Sequence, residues 1–454
     1  MRSAQRIDLQ RYLSVVRSRG TAFLLLAVIA VTAIPSGSAT RAHGATPRPN
    51  VLIIITDDQR GGLNVMPDTR KWFGQGGTGF TNAYATTPQC CPSRSSIFTG
   101  RYAHNHGVLT NGSTANLDHG TTVQYHLNQG GYATAIFGKF LNGWPLANAP
   151  PNFDTWSIFN SPYPSYVGRE WNVDGVVQKI DRYPTRYIAD RAISFVRNAA
   201  QPWFMVLAPP NPHEPYTAER VYAQADVGRW AGNPAVFESD RSDKPPYVRN
   251  AAFSFADGND VRTRQLRSLM SVDDMVDRIF VTLGNVGVRR NTLAFFISDN
   301  GFLWAEHGLK PQKAVPYTPA IQVPFFARWP GHLPGGATDS RLVANIDIAP
   351  TILSATLGTA PPAIDGRSLL SNHTRDRLLL EAWRSNNAEI PPWASTLTRG
   401  GQYVEYYGPG NETVFREFYD LTADPWQLEN LGQPPPGWTE RLTSDRICAG
   451  AGCP

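Results

Sequence analysis

Cysteine is scarce in this chain, with four in 454 residues, and the basic charge that a pI near 9.0 suggests is missing from its body. The four cysteines are too few to build the fold on disulfides. Cys448 and Cys453 are the natural partners for a local clip at the C-terminus, whereas adjacent Cys90 and Cys91 rarely meet disulfide geometry. Residues 1–50 hold seven arginines against Asp8, a balance of +6, so with +5 overall the remainder carries −1. That excludes a nucleic-acid-binding body. There is no internal repeat. The apolar stretch at 21–34 is too short for a comfortable membrane span. It follows a basic start and precedes Ser36-Gly37-Ser38-Ala39, so residues 1–44 read as a secretory signal and leader, cleaved between Ala39 and Ala45. An uncleaved anchor is the alternative, and no stable span remains after cleavage.

Short, almost wholly apolar runs are plentiful. Val51-Leu52-Ile53-Ile54-Ile55-Thr56 ends in Asp57-Asp58-Gln59, and Leu293-Ala294-Phe295-Phe296-Ile297-Ser298 ends in Asp299-Asn300-Gly301. Runs of this kind fit parallel strands buried on both faces. In open α/β sheets ligands gather at the carboxyl ends of the strands. Two such strands would deliver Asp57, Asp58, Asp299 and Asn300 to one place. Three carboxylates and an amide suit a hard cation with oxygen ligands, calcium before magnesium. Taken singly, each pair also reads as an ordinary turn or helix cap.

Cys90-Cys91-Pro92-Ser93-Arg94 continues into Ser95-Ser96-Ile97-Phe98-Thr99-Gly100-Arg101, with the marks of a loop-to-helix junction. Cys90 falls at the helix mouth, where free N–H groups favour an oxyanion, and Arg94 one turn on adds a permanent charge. The C-x-P-x-R spelling with the following T-G-R resembles the sulfatase family signature. The alternative is that the two cysteines only pack. The resemblance implies that Cys90 is oxidised to formylglycine before folding, by a formylglycine-generating enzyme. It implies one Ca2+ held by Asp57, Asp58, Asp299, Asn300 and an oxygen of residue 90. Further matches are Lys139 at the end of Ala135-Ile136-Phe137-Gly138-Lys139, His213 in Pro212-His213-Glu214-Pro215, and Lys313. In the family these positions bind sulfate and serve the leaving group.

One departure stands out. Many relatives carry a histidine soon after the Lys139 position, where this chain has Phe140, Leu141 and Asn142. Either His104 or His106 could replace that base, or both could simply cap the preceding helix. His104-Asn105-His106 and Gly138-Lys139-Phe140-Leu141-Asn142 resemble the N-acetylglucosamine-6-sulfatase branch. The implied substrate is a sulfated sugar of that kind or an aryl sulfate. A phosphate or phosphonate monoester hydrolase and a non-catalytic carbohydrate-binding relative are the competing readings.

Apolar strands alternate with helical segments to about residue 370, which argues an α/β fold with a large, mostly parallel sheet between helices. The clearest helix is 261–283, where Asp273-Asp274 reads as a polar face. From Arg375 the texture changes to short strands and turns. The expected organisation is therefore a catalytic domain over 45–372 and a smaller C-terminal α+β subdomain with an antiparallel sheet over 373–454.

Overall fold

The computed structural model describes residues 47–160, 165–383 and 389–454; the leader proposed for residues 1–44 lies outside the described residues. Residues 47–454 form one compact unit with two sheets. The strands of the larger sheet are β1 (Asn50–Thr56), β2 (Thr78–Tyr84), β3 (Ala133–Lys139), β4 (Thr155–Phe159) and β5 (Arg169–Val173). They continue with β6 (Val176–Ile180), β7 (Trp203–Ala208), β8 (Thr292–Ser298), β9 (Phe325–Arg328) and β10 (Ala337–Ala344). Their spatial order is β10-β2-β9-β8-β1-β7-β3-β4-β5-β6. The run β8-β1-β7-β3-β4 is parallel throughout.

β1 and β8 lack polar alternation because helices cover both faces of the sheet. Val51, Ile53 and Ile55 pack with Ile97, Phe98, Leu127 and Ile352, from the helices Cys90–Thr99, Val123–Gln129 and Ile348–Leu357. Leu52 and Ile54 point the other way, onto Ile188, Leu269 and Val276 of the helices Pro184–Asn198 and Phe255–Asn285. The 261–283 periodicity is the centre of that last helix. Asp273, however, is not on a solvated face. It is buried and accepts the Asp68 and Thr69 backbone N–H groups at 3.0 and 2.6 Å, satisfying a short helix start that runs against it.

The smaller sheet is antiparallel, in the order β11 (Leu378–Ala382), β12 (Trp393–Leu397), β13 (Gly401–Tyr407) and β14 (Thr413–Asp420). It has its own apolar core and braces the segment that carries Lys313. Trp393 Nε1 donates to the Ala314 carbonyl at 2.9 Å and Gln402 Nε2 to that of Pro316 at 2.8 Å. Beyond it, a disulfide joins Cys448 and Cys453, as their spacing suggested. Among the described residues no helix is long and apolar enough to cross a membrane.

Candidate active site

Four adjoining parallel strands deliver the charged residues. In space β8, β1, β7 and β3 are consecutive, and their carboxyl ends lead to Asp299-Asn300, Asp57-Asp58, His213 and Lys139 respectively. The ladder continues one residue past β1 and β8. Asp299 N donates to the Thr56 carbonyl and Asp57 N to that of Asn211, both at 3.0 Å. The chain then turns sharply at Asp58, whose φ of 69° lies in the left-handed region, and Asp58 N donates to Asp299 Oδ1 at 3.1 Å. Two strands remote in sequence thereby present three carboxylates and an amide together.

Across from them, the helix Cys90–Thr99 opens with Gln89 in extended conformation and no side-chain cap. Its Cys90 Sγ lies 3.5 Å from Asp57 Oδ1 and 2.9 Å from Lys313 Nζ. Arg94 Nε donates to Asp299 Oδ2 and Arg94 Nη1 to the Lys139 carbonyl, each at 2.9 Å. Lys139 Nζ donates to Asp57 Oδ2 at 2.6 Å, and Lys313 Nζ is in direct contact with Asp58 Oδ1. His213 Nε2 stands 3.7 Å from Asp58 Oδ2. His213 Nδ1 lies 2.9 Å from the Glu214 carbonyl, which can only accept, so Nδ1 carries a proton and the ring is held with Nε2 towards Asp58.

Three acids, two lysines and Arg94 thus share one buried space, with His213 at its edge. Burial disfavours the charged form of Asp57, but Lys139, His213, Arg94 and Lys313 outweigh it and hold its carboxyl well below the usual range. Asp299 moves the other way: burial, reinforced by the neighbouring Asp57 charge, raises it. Burial opposes the charge on Lys139, yet Asp57 keeps that lysine above its ordinary value. A divalent cation would relieve the acid-against-acid repulsion. Asp57, Asp58, Cys90 and Asp299 each present a ligand atom within 4.8 Å of the others. Asn300 Nδ2 donates to Asp58 Oδ1 at 2.7 Å, while Asn300 Oδ1 is buried with no hydrogen-bond donor among the described residues. An orphaned acceptor beside three carboxylates fits a hard cation.

Cys91 and His106 are not brought to this cluster. Cys91 Sγ accepts the Asn142 N–H at 3.0 Å and sits in the apolar core. His106 is buried; Nε2 lies 3.1 Å from Ser96 Oγ and Nδ1 accepts the Val108 N–H at 3.1 Å. His104 is held by Glu381 at 2.9 Å and by the Cys448 carbonyl at 2.9 Å. A cleft of about 270 Å³ opens above Asp58, His213 and Lys313, lined also by Gln89, Asn111, Tyr216, Phe302, Lys310 and Gln312. Of these six, Lys310 is the near neighbour that competes with Lys313 for the family's lysine position, Asn111 opens the glycosylation-type triplet Asn111-Gly112-Ser113, and the other four have no sequence signature.

Comparison with known proteins places the sequence in a family. The sulfatase family model matches residues 49–359, and a second model, the C-terminal part of N-sulphoglucosamine sulphohydrolase, matches residues 305–437.

This chain belongs to the sulfatase family.

Among its relatives, the N-acetylglucosamine-6-sulfatase of Homo sapiens is 31% identical over 460 residues, covering 86% of this chain and 82% of the relative. The putative extracellular sulfatase Sulf-1 homolog of Caenorhabditis elegans is 32% identical over 386 residues, covering 79% of this chain. The chain spans 53% of that relative's length. A solved structure described as being in complex with its substrate D-glucosamine-2-N,6-O-disulfate superposes with a TM-score of 0.77 at 22% identity, covering 87% of this chain and 96% of the other. That likeness confirms the α/β architecture. Members of the sulfatase family generally use formylglycine and a metal ion.

Proposed function

We propose that this sulfatase-family chain is a sulfate-ester hydrolase acting on a sulfated sugar of the N-acetylglucosamine-6-sulfate kind, with formylglycine made from Cys90 and one Ca2+. The observation that carries this reading is the convergence of Asp57, Asp58, Asp299 and Asn300 on Cys90, with four cationic or proton-bearing side chains around them. The named relatives support the sugar, and the extracellular relatives support export through the leader.

Formylglycine at position 90 would supply a gem-diol able both to attack sulfur and to release sulfate again, which a plain thiol or hydroxyl cannot do. Asp57, Asp58, Asp299 and Asn300 would hold Ca2+, which supplies fixed positive charge beside residue 90. Around that centre each side chain has a task. Arg94, held by Asp299 and the Lys139 carbonyl, keeps its guanidinium within the acidic cluster, 3.8 Å from Asp57, where it would stabilise charge building on the sulfuryl group. Lys139 and Lys313 face the same point from β3 and from the segment after β8, and bind the sulfuryl oxygens. Donors fixed before the substrate arrives cost no reorganisation as charge builds on the transferring group. His213, as an imidazolium, or Lys313 gives a proton to the departing sugar oxygen, and the Nδ1 bond of His213 to Glu214 fixes its ring with Nε2 towards Asp58.

Sulfate and phosphate esters share a tetrahedral oxyanion, so matched aryl esters provide the test. The expected result is faster hydrolysis of the sulfate, with the residue-90 peptide having lost sulfur and gained an aldehyde by mass. Faster phosphate hydrolysis, or an active preparation in which residue 90 is wholly unmodified cysteine, overturns the reading.

A further inference from the structure

Asn111 stands where the helix Cys90–Thr99 opens onto the cleft. The first turn of that helix has a donor to satisfy and no local means of doing so. Gln89, at its start, makes no side-chain cap, Pro92 has no N–H, and Ser93 N already donates to the Gln89 carbonyl at 3.0 Å. The Cys91 N–H is met instead by Asn111 Oδ1 at 2.9 Å, from a loop 20 residues on. An N–H can only donate, so the amide atom facing it is the oxygen, and Nδ2 is the other. Asn111 Nδ2 makes no hydrogen bond among the described residues, and the residue lines the catalytic cleft with Gln89, His213 and Lys313. The loop is held in place. Ser113 Oγ accepts the Leu109 and Thr110 N–H groups, both at 2.9 Å. His106 ties the loop to the helix, accepting the Val108 N–H at 3.1 Å while its Nε2 lies 3.1 Å from Ser96 Oγ.

Resting on the sulfatase reading above, we infer that Asn111 binds the substrate directly and has a positioning task as well: Nδ2 donates to an oxygen of the bound sulfate ester, while Oδ1 holds the mouth of the helix that carries residue 90. Lys139 and Lys313 are paired with Asp57 and Asp58, whereas Asn111 offers a neutral donor that no acid engages. Both atoms belong to one planar amide, so fixing Oδ1 on the Cys91 N–H also fixes the direction of Nδ2. The donor is therefore set before the ester arrives, and little reorganisation is needed to use it. The triplet Asn111-Gly112-Ser113 is affected too. Nδ2 is the atom a glycan would occupy, and a glycan there would fill the cleft, so the active protein carries none at this position.

Asn111→Asp separates the two tasks, since it keeps an acceptor for the Cys91 N–H and turns the donor into a carboxylate oxygen. Its KM for 4-nitrophenyl sulfate should rise about tenfold or more by repulsion of the anion, with a loss that shrinks as salt is raised. Hydrogen exchange of the Cys91 amide, read by mass spectrometry, should stay as slow as in the wild type. Asn111→Ala loses both groups, so KM should rise about fivefold and the Cys91 amide should exchange about tenfold faster. A purely structural residue would leave the KM of Asn111→Asp unchanged, and that result overturns the inference. An unchanged exchange rate in Asn111→Ala overturns the positioning task. If Asn111→Ala does not fold, Asn111→Asp with its retained acceptor still decides the contact. If the wild-type protein hydrolyses no sulfate ester, the functional reading has failed. Calorimetric binding of 4-nitrophenyl sulfate to Cys90→Ser then decides the contact on its own: binding weakened about tenfold by adding Asn111→Asp upholds it, and equal binding or none refutes it.

Discussion

Asp299→Asn separates the cation site from general stability. Asp299 accepts from Arg94 Nε at 2.9 Å and from Asp58 N at 3.1 Å, and both side chains of the Arg94–Asp299 pair are fully buried. Removing its charge leaves Arg94 with Asp57 at 3.8 Å as its remaining carboxylate. Breaking a buried pair in this way costs about 3 kcal/mol. At about 2.1 cal/mol/K per residue, the compact unit of residues 47–454 unfolds with an entropy near 0.9 kcal/mol/K, so the melting point should fall by about 3 °C without calcium. The diagnostic quantity is the increment that calcium adds. For the wild type, calcium at 100 times its dissociation constant adds about 2.7 kcal/mol, hence another 3 °C. Asp299→Asn loses one of three carboxylates and the negative charge that draws the cation, so its increment at the same calcium concentration should fall below about 1 °C. Differential scanning calorimetry of both proteins, with chelator and with calcium, reads all four melting points. An undiminished increment in the variant removes Asp299 from the cation site, and no increment in the wild type removes the site.

Other perturbations probe the remaining assignments. Burial, with Arg101 nearby, lowers the His106 pKa to about 3, so the folded protein keeps this ring neutral while the unfolded chain protonates it near 6.5. The unfolded state then binds the extra proton, and stability falls by about 1.4 kcal/mol per pH unit as pH drops from about 6.5 towards 3; urea melts of His106→Gln should lose that share of the slope. The same variant should keep turnover within a few-fold, and a hundredfold loss in a folded protein would return His106 to the chemistry. Cys91→Ala should remain active but less stable by about 1 to 2 kcal/mol, because it removes core volume and leaves the Asn142 N–H without its acceptor. Gly138 has φ of 118° and an added Cβ would lie 2.0 Å from the Ala208 carbonyl oxygen. Gly138→Ala should therefore cost about 3 kcal/mol or more by chemical denaturation and displace Lys139 beside it; a neutral substitution would refute that packing.

The cation-site reading began with two sequence signals. An apolar run ending in an acidic pair marks a strand that is covered on both faces and ends at a polar site, and both Asp57-Asp58 and Asp299-Asn300 show it. The strands β2 and β12 gave no such signal, since Thr78-Gly79-Phe80-Thr81-Asn82-Ala83-Tyr84 and Trp393-Ala394-Ser395-Thr396-Leu397 mix small and polar residues that neighbours bury only in the folded protein. Asp273 misled for a related reason. An acid on a long helix looks solvated until another segment brings it N–H groups to accept.

Local chemistry is written in the chain: which runs extend, where a helix begins beside Cys90, which residues can carry charge, and hence which residue types can hold a cation or an anion. Adjacency is not. That β8, β1, β7 and β3 stand side by side is decided by the burial of two helical layers against one sheet, a property of the whole molecule. Only that order turns four separate strand ends into one charged centre, and sets Lys310 between two cavities while His106 is buried away from the cluster.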